Sequence, residues 1–181
     1  MILCLLPAGV RAGQNPFKWM FGSDKTNYQI FKDPAGRFEL EYPTKDWRVW
    51  PSSGGSTLAV FTRNDGPALL VDDFRLKDGL TQGELEAMPE SELERVKQLE
   101  PKSKDFQSEM LDTKAGRGVL IKFSRAGKET ESVLQCAISV GKDLYRLNAV
   151  VPQKLFSKYQ QTMVHMIQSF KAPADPSTSK D

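Results

Sequence analysis

One histidine, two cysteines and 23 carboxylates are the chain's stock of imidazole, thiol and acid groups. Their spacing argues against a reaction centre. His165 falls on a predicted C-terminal helix about 200 degrees around from Met163, away from the apolar stripe, where it reads as a surface histidine and not a ligand. Cys136 lies on the apolar face of a predicted strand, where a thiol serves as a small buried hydrophobe. Asp72 and Asp73 are adjacent in another predicted strand, so their side chains point to opposite faces and cannot share an ion; a structural polar group, hydrogen-bonded or paired with an arginine near Arg75, is expected there. Asn64, Asp65 and Gly66 lack the remaining ligands of an EF-hand loop. Gly116 and Gly118 lack the third glycine and the lysine of a phosphate loop, and there is no Gly-x-Ser-x-Gly elbow. No carboxylate spacing singles out an acid/base pair. The expectation is a non-catalytic protein with no cofactor and no metal site.

Surface contact is the positive signal. Trp47 and Trp50 are three apart in a segment predicted to be extended, so they occupy opposite faces and at least one can be exposed. Exposed tryptophan marks a contact surface, and Trp50 with Arg48 is the candidate partner-binding pair. The partner expected is a protein. With 25 basic and 23 acidic residues and a net charge of +2, the chain has no basic stripe for phosphate neutralisation, which excludes a nucleic acid. No segment reaches the roughly 18 to 20 apolar residues that span a bilayer, which leaves only peripheral contact with a membrane.

The elements that must position these residues are legible from periodicity. Leu134, Cys136, Ile138 and Val140 share one strand face, as do Tyr145, Leu147, Ala149 and Val151, with a turn over Gly141, Lys142 and Asp143 between them. Val133, Ala137 and Ser139 make the second face of the first strand compatible with burial on both sides, which predicts a sheet between two layers. Further strands are expected at 28–32, at 37–42 with Phe38, Leu40 and Tyr42 inward, and at 47–50. Others are expected at 58–63 and 68–76, joined through Asn64, Asp65 and Gly66, and around Phe106 to Met110 and Val119 to Phe123. Thr81 with Glu84, and again Ser91 with Glu94, have the form of capping boxes, predicting a helical region over 81–100 that bends near Pro89 and buries Leu85, Met88, Leu93, Val96 and Leu99. A closing helix after Pro152 buries Phe156, Tyr159, Met163, Ile167 and Phe170. The fold class is α+β: an α/β/α sandwich around a mainly antiparallel sheet.

The ends read differently. Ile2 to Leu6 is an apolar run, and Val10, Arg11 and Ala12 put small residues where a signal peptidase inspects, so 1–12 is read as a truncated signal peptide. Residues 13–27 form a leader with Phe17, Trp19, Met20 and Phe21, 28–170 the folded domain, and 171–181 a disordered tail rich in proline and serine.

Gly36, Arg37, Phe38, Tyr42, Pro43 and Trp47, then Leu144, Tyr145, Arg146, Leu147, Val151, Pro152, Phe156, Tyr159, Ser169 and Phe170, resemble the PsbP-like family over most of 28–170. That family includes extrinsic lumenal proteins of photosystem II and exported bacterial proteins, and shares its α/β/α sandwich with a nuclear-import factor that binds the GTPase Ran. The resemblance implies an exported binding or assembly-accessory protein, periplasmic or secreted, and lumenal in a thylakoid if the host is photosynthetic. Two alternatives stay open: a small-molecule or metal carrier, since some PsbP proteins are proposed to bind calcium, manganese or zinc, and an enzyme with a dispersed carboxylate site.

Overall fold

The computed structural model describes residues 26–52, 55–127 and 129–173. The expected signal peptide, nearly all of the leader and the tail beyond residue 173 lie outside them. Among these described residues nine strands and two α-helices follow in chain order. The hairpin β1 (Tyr28–Lys32) and β2 (Glu39–Pro43) precedes β3 (Trp47–Pro51), β4 (Thr57–Arg63) and β5 (Ala68–Arg75). Helix α1 (Gln82–Leu99) leads to β6 (Lys104–Thr113), β7 (Gly116–Arg125), β8 (Glu131–Val140) and β9 (Asp143–Pro152); a 3-10 turn over Gln153–Leu155 then enters α2 (Phe156–Gln168).

Strands β3 to β9 form one antiparallel sheet of order β3-β4-β5-β9-β8-β7-β6. The first hairpin does not join it. Strands β1 and β2 make a separate two-stranded sheet, so the sequence expectation of one central layer holding every strand is corrected. Phe38 and Leu40 explain the detachment: both are wholly buried in the core that α2 shares with the large sheet, so the hairpin covers that sheet instead of extending it. Its end is tied by a two-way backbone bridge, Glu39 N–H donating to Lys171 O and Lys171 N–H to Glu39 O.

Two cores flank the sheet. On the front face Phe61, Leu69, Val71, Leu134, Ile138, Leu147 and Val151 pack against Met163, Ile167 and Phe170 of the α2 region. On the back face Val119, Ile121, Phe123, Val133 and Ala137 pack under Met88 and Val96 of α1. Strand β8 is buried on both sides, and its Val133, Leu134 and Ile138 side chains each contribute about 1.5–3 kcal/mol by leaving water. The layers are therefore α2 with the hairpin, the sheet, and α1.

Helix α1 departs from expectation in three ways. The Thr81 and Glu84 capping box is present in both directions, but Ser91 does not start a second helix: its hydroxyl donates to Met88 O and the helix continues through Pro89. An interior proline removes one helix hydrogen bond and crowds the carbonyl four residues back, a cost of about 3 kcal/mol that the packing of Met88, Glu92 and Val96 must offset. Leu85 and Leu99 are exposed, the latter at 67%, whereas Glu92 is buried in phase with Met88 and Val96. The true stripe is therefore charged at its centre. On β6 Met110 shares the back face with Phe106, opposite Val119, yet is exposed, while Leu111 on the other face packs toward the front core.

Candidate functional site

The chemically capable groups stay apart. Cys136 is fully buried and burial pushes its thiol up to about 12, as its reading as a packed hydrophobe expects. His165 is better engaged than a bare surface histidine: its Nε2 lies 2.9 Å from Glu41 Oε2 and its ring centroid 3.9 Å from that of Tyr28, so it ties α2 to the hairpin. Helical phase placed it off the core stripe but could not show that a separate hairpin approaches that side. Glu41 also holds Lys114, and that hydrogen bond first, opposed by partial burial and assisted by His165, keeps its carboxyl below the usual range. Among the described residues no group of three or more His, Cys, Asp or Glu side chains is placed to hold a metal ion.

Asp72 and Asp73 do face opposite sides. Asp72, on the back, accepts from Thr57 Oγ1 at 2.6 Å and Asn148 Nδ2 at 2.9 Å, neither of them an arginine. Asp73, on the front, has a buried Oδ1 without a partner; burial, then the nearby Asp143 charge, raises its carboxyl, with Arg37 and Arg75 acting in opposition.

A cleft of about 370 Å³ on the front side is lined by Thr26, Asn27, Lys45, Trp47, Arg63 and Tyr159 among others. Its ionic groups largely satisfy one another. Arg63 Nε lies 2.7 Å from Asp65 Oδ1 as an ion pair without hydrogen-bond alignment, its Nη2 is 3.3 Å from Asp46 Oδ2, and Tyr159 OH donates to Asp65 Oδ2 at 2.7 Å.

The tryptophans separate as pleating demands. Trp47 joins the front core at 9% exposure, while Trp50 on edge strand β3 is 57% exposed on the back. Trp50 Nε1 donates to Thr62 Oγ1 at 3.2 Å, and Arg48, two residues away on the same face, is exposed with no ion pair among the described residues. Around them Val60, Thr62, Ala68, Leu70, Asn148 and Val150 are half-buried. The reason is the placement of α1, which lies over the β6 to β8 side of the back face, with α2 on the front. No second described helix covers the β3, β4 and β5 side.

Where α1 borders that open half, Glu92 is 7% exposed and gathers two guanidiniums, Arg95 Nε at 2.8 Å and Arg146 Nη2 at 2.8 Å. Burial alone would raise the Glu92 carboxyl, and the hydrogen bonds from Arg146 and Arg95 outweigh it and hold it below the usual range. Arg146 also stacks over Phe74 at 4.7 Å. Sequence reading missed this group. Its signal was a glutamate four residues from Met88 and from Val96, a charge in the middle of an apolar stripe.

No family model matches the chain, and no curated protein sequence matches it. Solved structures do. The solution structure of cyanobacterial PsbP from Synechocystis sp. PCC 6803 is similar with a TM-score of 0.61 at 14% identity, covering 84% of this chain and 96% of that one. The protein Mog1, solved as a point mutant, is similar with a TM-score of 0.56 at 12% identity, covering 83% and 98%. LpqN, involved in cell envelope biogenesis of Mycobacterium tuberculosis, is similar with a TM-score of 0.53 at 13% identity, covering 83% and 93%. The chain thus has the PsbP-like α+β fold, a mostly antiparallel sheet with helices packed on it.

Proposed function

We propose that this protein is a non-catalytic, PsbP-like binding or assembly-accessory protein that works outside the cytoplasm and meets a protein partner on the open half of its sheet, around Trp50 and Arg48. The observation that carries the reading is Trp50, 57% exposed on an edge strand beside the half-buried Val60 and Leu70. A large aromatic left in water next to an apolar sheet face is the composition of an interface anchor. The non-catalytic part is supported by the engagement of His165 with Glu41 and Tyr28 and by the burial of Cys136. The extracytoplasmic part is supported by the apolar run Ile2 to Leu6 and by the likeness to LpqN, an envelope-biogenesis protein. No helix among the described residues is long and apolar enough to cross a membrane, and a peripheral position is proposed.

A photo-crosslinking benzoylphenylalanine in place of Trp50, with Met110 on the opposite edge strand as the control position, tests the surface in envelope fractions. A discrete protein adduct from position 50 and none from position 110 is expected. Absence of a protein adduct at position 50 sinks the reading. The small-molecule carrier alternative draws on the front cleft, and native mass spectrometry showing a retained ligand would favour it.

A further inference from the structure

The register of five strands lines up one row across the back face. Trp50 pairs with Val60, Val60 with Leu70, Leu70 with Asn148, and Asn148 with Gln135. Directly paired residues share a sheet face, so the row runs from an apolar end at the β3 edge to an amide end beside α1, over about 19 Å at ordinary strand spacing. The next row, two residues along, is Arg48, Thr62, Ala68 and Val150.

The inner end of the first row has unused donors. Gln135 is 8% exposed and its Nε2 has no partner; Arg95 Nη2 is likewise buried without one. Glu92 sits over Arg146, which pairs with Ala137. Helix α1 runs from the Gly141 end of β8, which Gly79 approaches, to the Arg125 and Glu131 end, reached by Glu100. Three residues along the helix advance about 4.5 Å, and two along a strand about 6.7 Å. Arg95 therefore lies from Glu92 in the same direction as Gln135 and Asn148 lie from Ala137 and Arg146.

Among the two rows and the charged groups bonded beside them, basic groups outnumber acidic ones by three to two. Arg48, Arg95 and Arg146 face Glu92 and Asp72, and both carboxylates are engaged, Glu92 by two guanidiniums and Asp72 by Thr57 and Asn148. The orphaned atoms on this half, Gln135 Nε2 and Arg95 Nη2, are both N–H donors. What complements orphaned donors and surplus positive charge is an acceptor carrying negative charge, and the apolar stretch of Trp50, Val60 and Leu70 asks for an aliphatic neighbour to it.

Resting on the docking surface proposed above, we infer that its occupant is an extended acidic segment of a partner protein, lying across the strands. One carboxylate of the segment accepts from Arg95 and Gln135, its aliphatic side chains cover Val60 and Leu70 against Trp50, and a second carboxylate meets Arg48.

The probe is a labelled octapeptide, Glu-Ser-Val-Ser-Val-Ser-Glu-Ser, whose glutamates and valines share one face of an extended chain, compared with the same peptide carrying glutamine in place of glutamate, titrated against the full chain by fluorescence anisotropy. Saturable binding of the glutamate peptide, at least tenfold weaker for the glutamine peptide, is expected. Gln135→Leu, Arg95→Met and the surface variant Arg48→Ala should each weaken it about tenfold, the last without any folding risk. Equal binding of the two peptides, or affinity unmoved by these variants, overturns the acidic occupant. If binding is charge-independent but lost in Trp50→Ala, the surface stands and only its partner chemistry falls; no binding at all overturns the inference. At limiting dilution, a position-50 crosslink to the chain's own residues 13–25 assigns the face to the leader, and one whose yield rises with concentration assigns it to a second copy; either also overturns it.

Discussion

The carboxylate of Glu41 on β2 lies 2.9 Å from Nε2 of His165 on α2, and the same carboxylate holds Lys114 at the turn between β6 and β7. One acid therefore fastens the detached hairpin both to the last helix and to the sheet edge. Its folded-state pKa lies below its ordinary value of 4.5, so its contribution to stability is complete above that pH and is lost as pH falls through the lower folded value. Glu41→Gln should cost about 1 kcal/mol at pH 7. The deficit should shrink as pH falls below 4.5 in urea denaturation, and a deficit independent of pH would contradict the account.

Asp73 carries the opposite sign. Its carboxyl is raised above 3.8 by burial and by Asp143, so the native state keeps its proton to higher pH than the unfolded chain does. Ionised Asp73 thus opposes folding at neutral pH. Asp73→Asn is expected to stabilise the protein by about 0.5–1 kcal/mol at pH 7, given a partly buried site, and by nothing below pH 3. Thermal melts across that range decide it.

The two tryptophans of β3 should respond in opposite ways to truncation. Trp47→Ala empties part of the front core and should cost about 3–5 kcal/mol, whereas Trp50→Ala should stay within about 0.5 kcal/mol of the parent while abolishing partner capture. Paired urea curves distinguish them, and a large loss in Trp50→Ala would make that ring structural.

Gly118 on β7 has no room for a methyl group. An added Cβ would stand 2.9 Å from Ala137 O, Cys136 Sγ and Ile138 Cγ1 at once, all three on the doubly buried β8. Gly118→Ala should destabilise by about 1–3 kcal/mol through overpacking. Gly116→Ala meets open space but sits at φ 125°, so its cost is backbone strain alone and should be spared at Gly83, which has neither constraint. Chemical denaturation of the three variants ranks them.

With its thiol pushed up to about 12 and fully buried, Cys136 should resist iodoacetamide in the native protein at pH 8 and react promptly in denaturant. Peptide mapping resolves this site from Cys4.

Period-two patterning in β8 and β9, and three- and four-residue spacing in α2, were enough to read these elements, because each repeats an apolar choice on one face over many residues. The α+β class followed from them. Detachment of the first hairpin was not legible, since Phe38 and Leu40 alternate the same way whether their strand joins the large sheet or covers it. The Leu99 error has the same origin: helical spacing gives a phase, while Glu92 with its two arginines fixes which phase is buried. Trp50 was readable as one of two outcomes at the β3 edge. The row joining it to Gln135 was not, because register between strands distant in sequence is written in turns and bulges rather than in any one segment.

The Glu39 and Lys171 backbone bridge sets an order of events for the growing chain. A hairpin made early in translation can dock but stays unlatched until the stretch after α2 leaves the ribosome, so a nascent chain halted before residue 171 would expose Phe38 and Leu40 to chaperones. The clasp that secures the hairpin is thus supplied by the segment that follows α2.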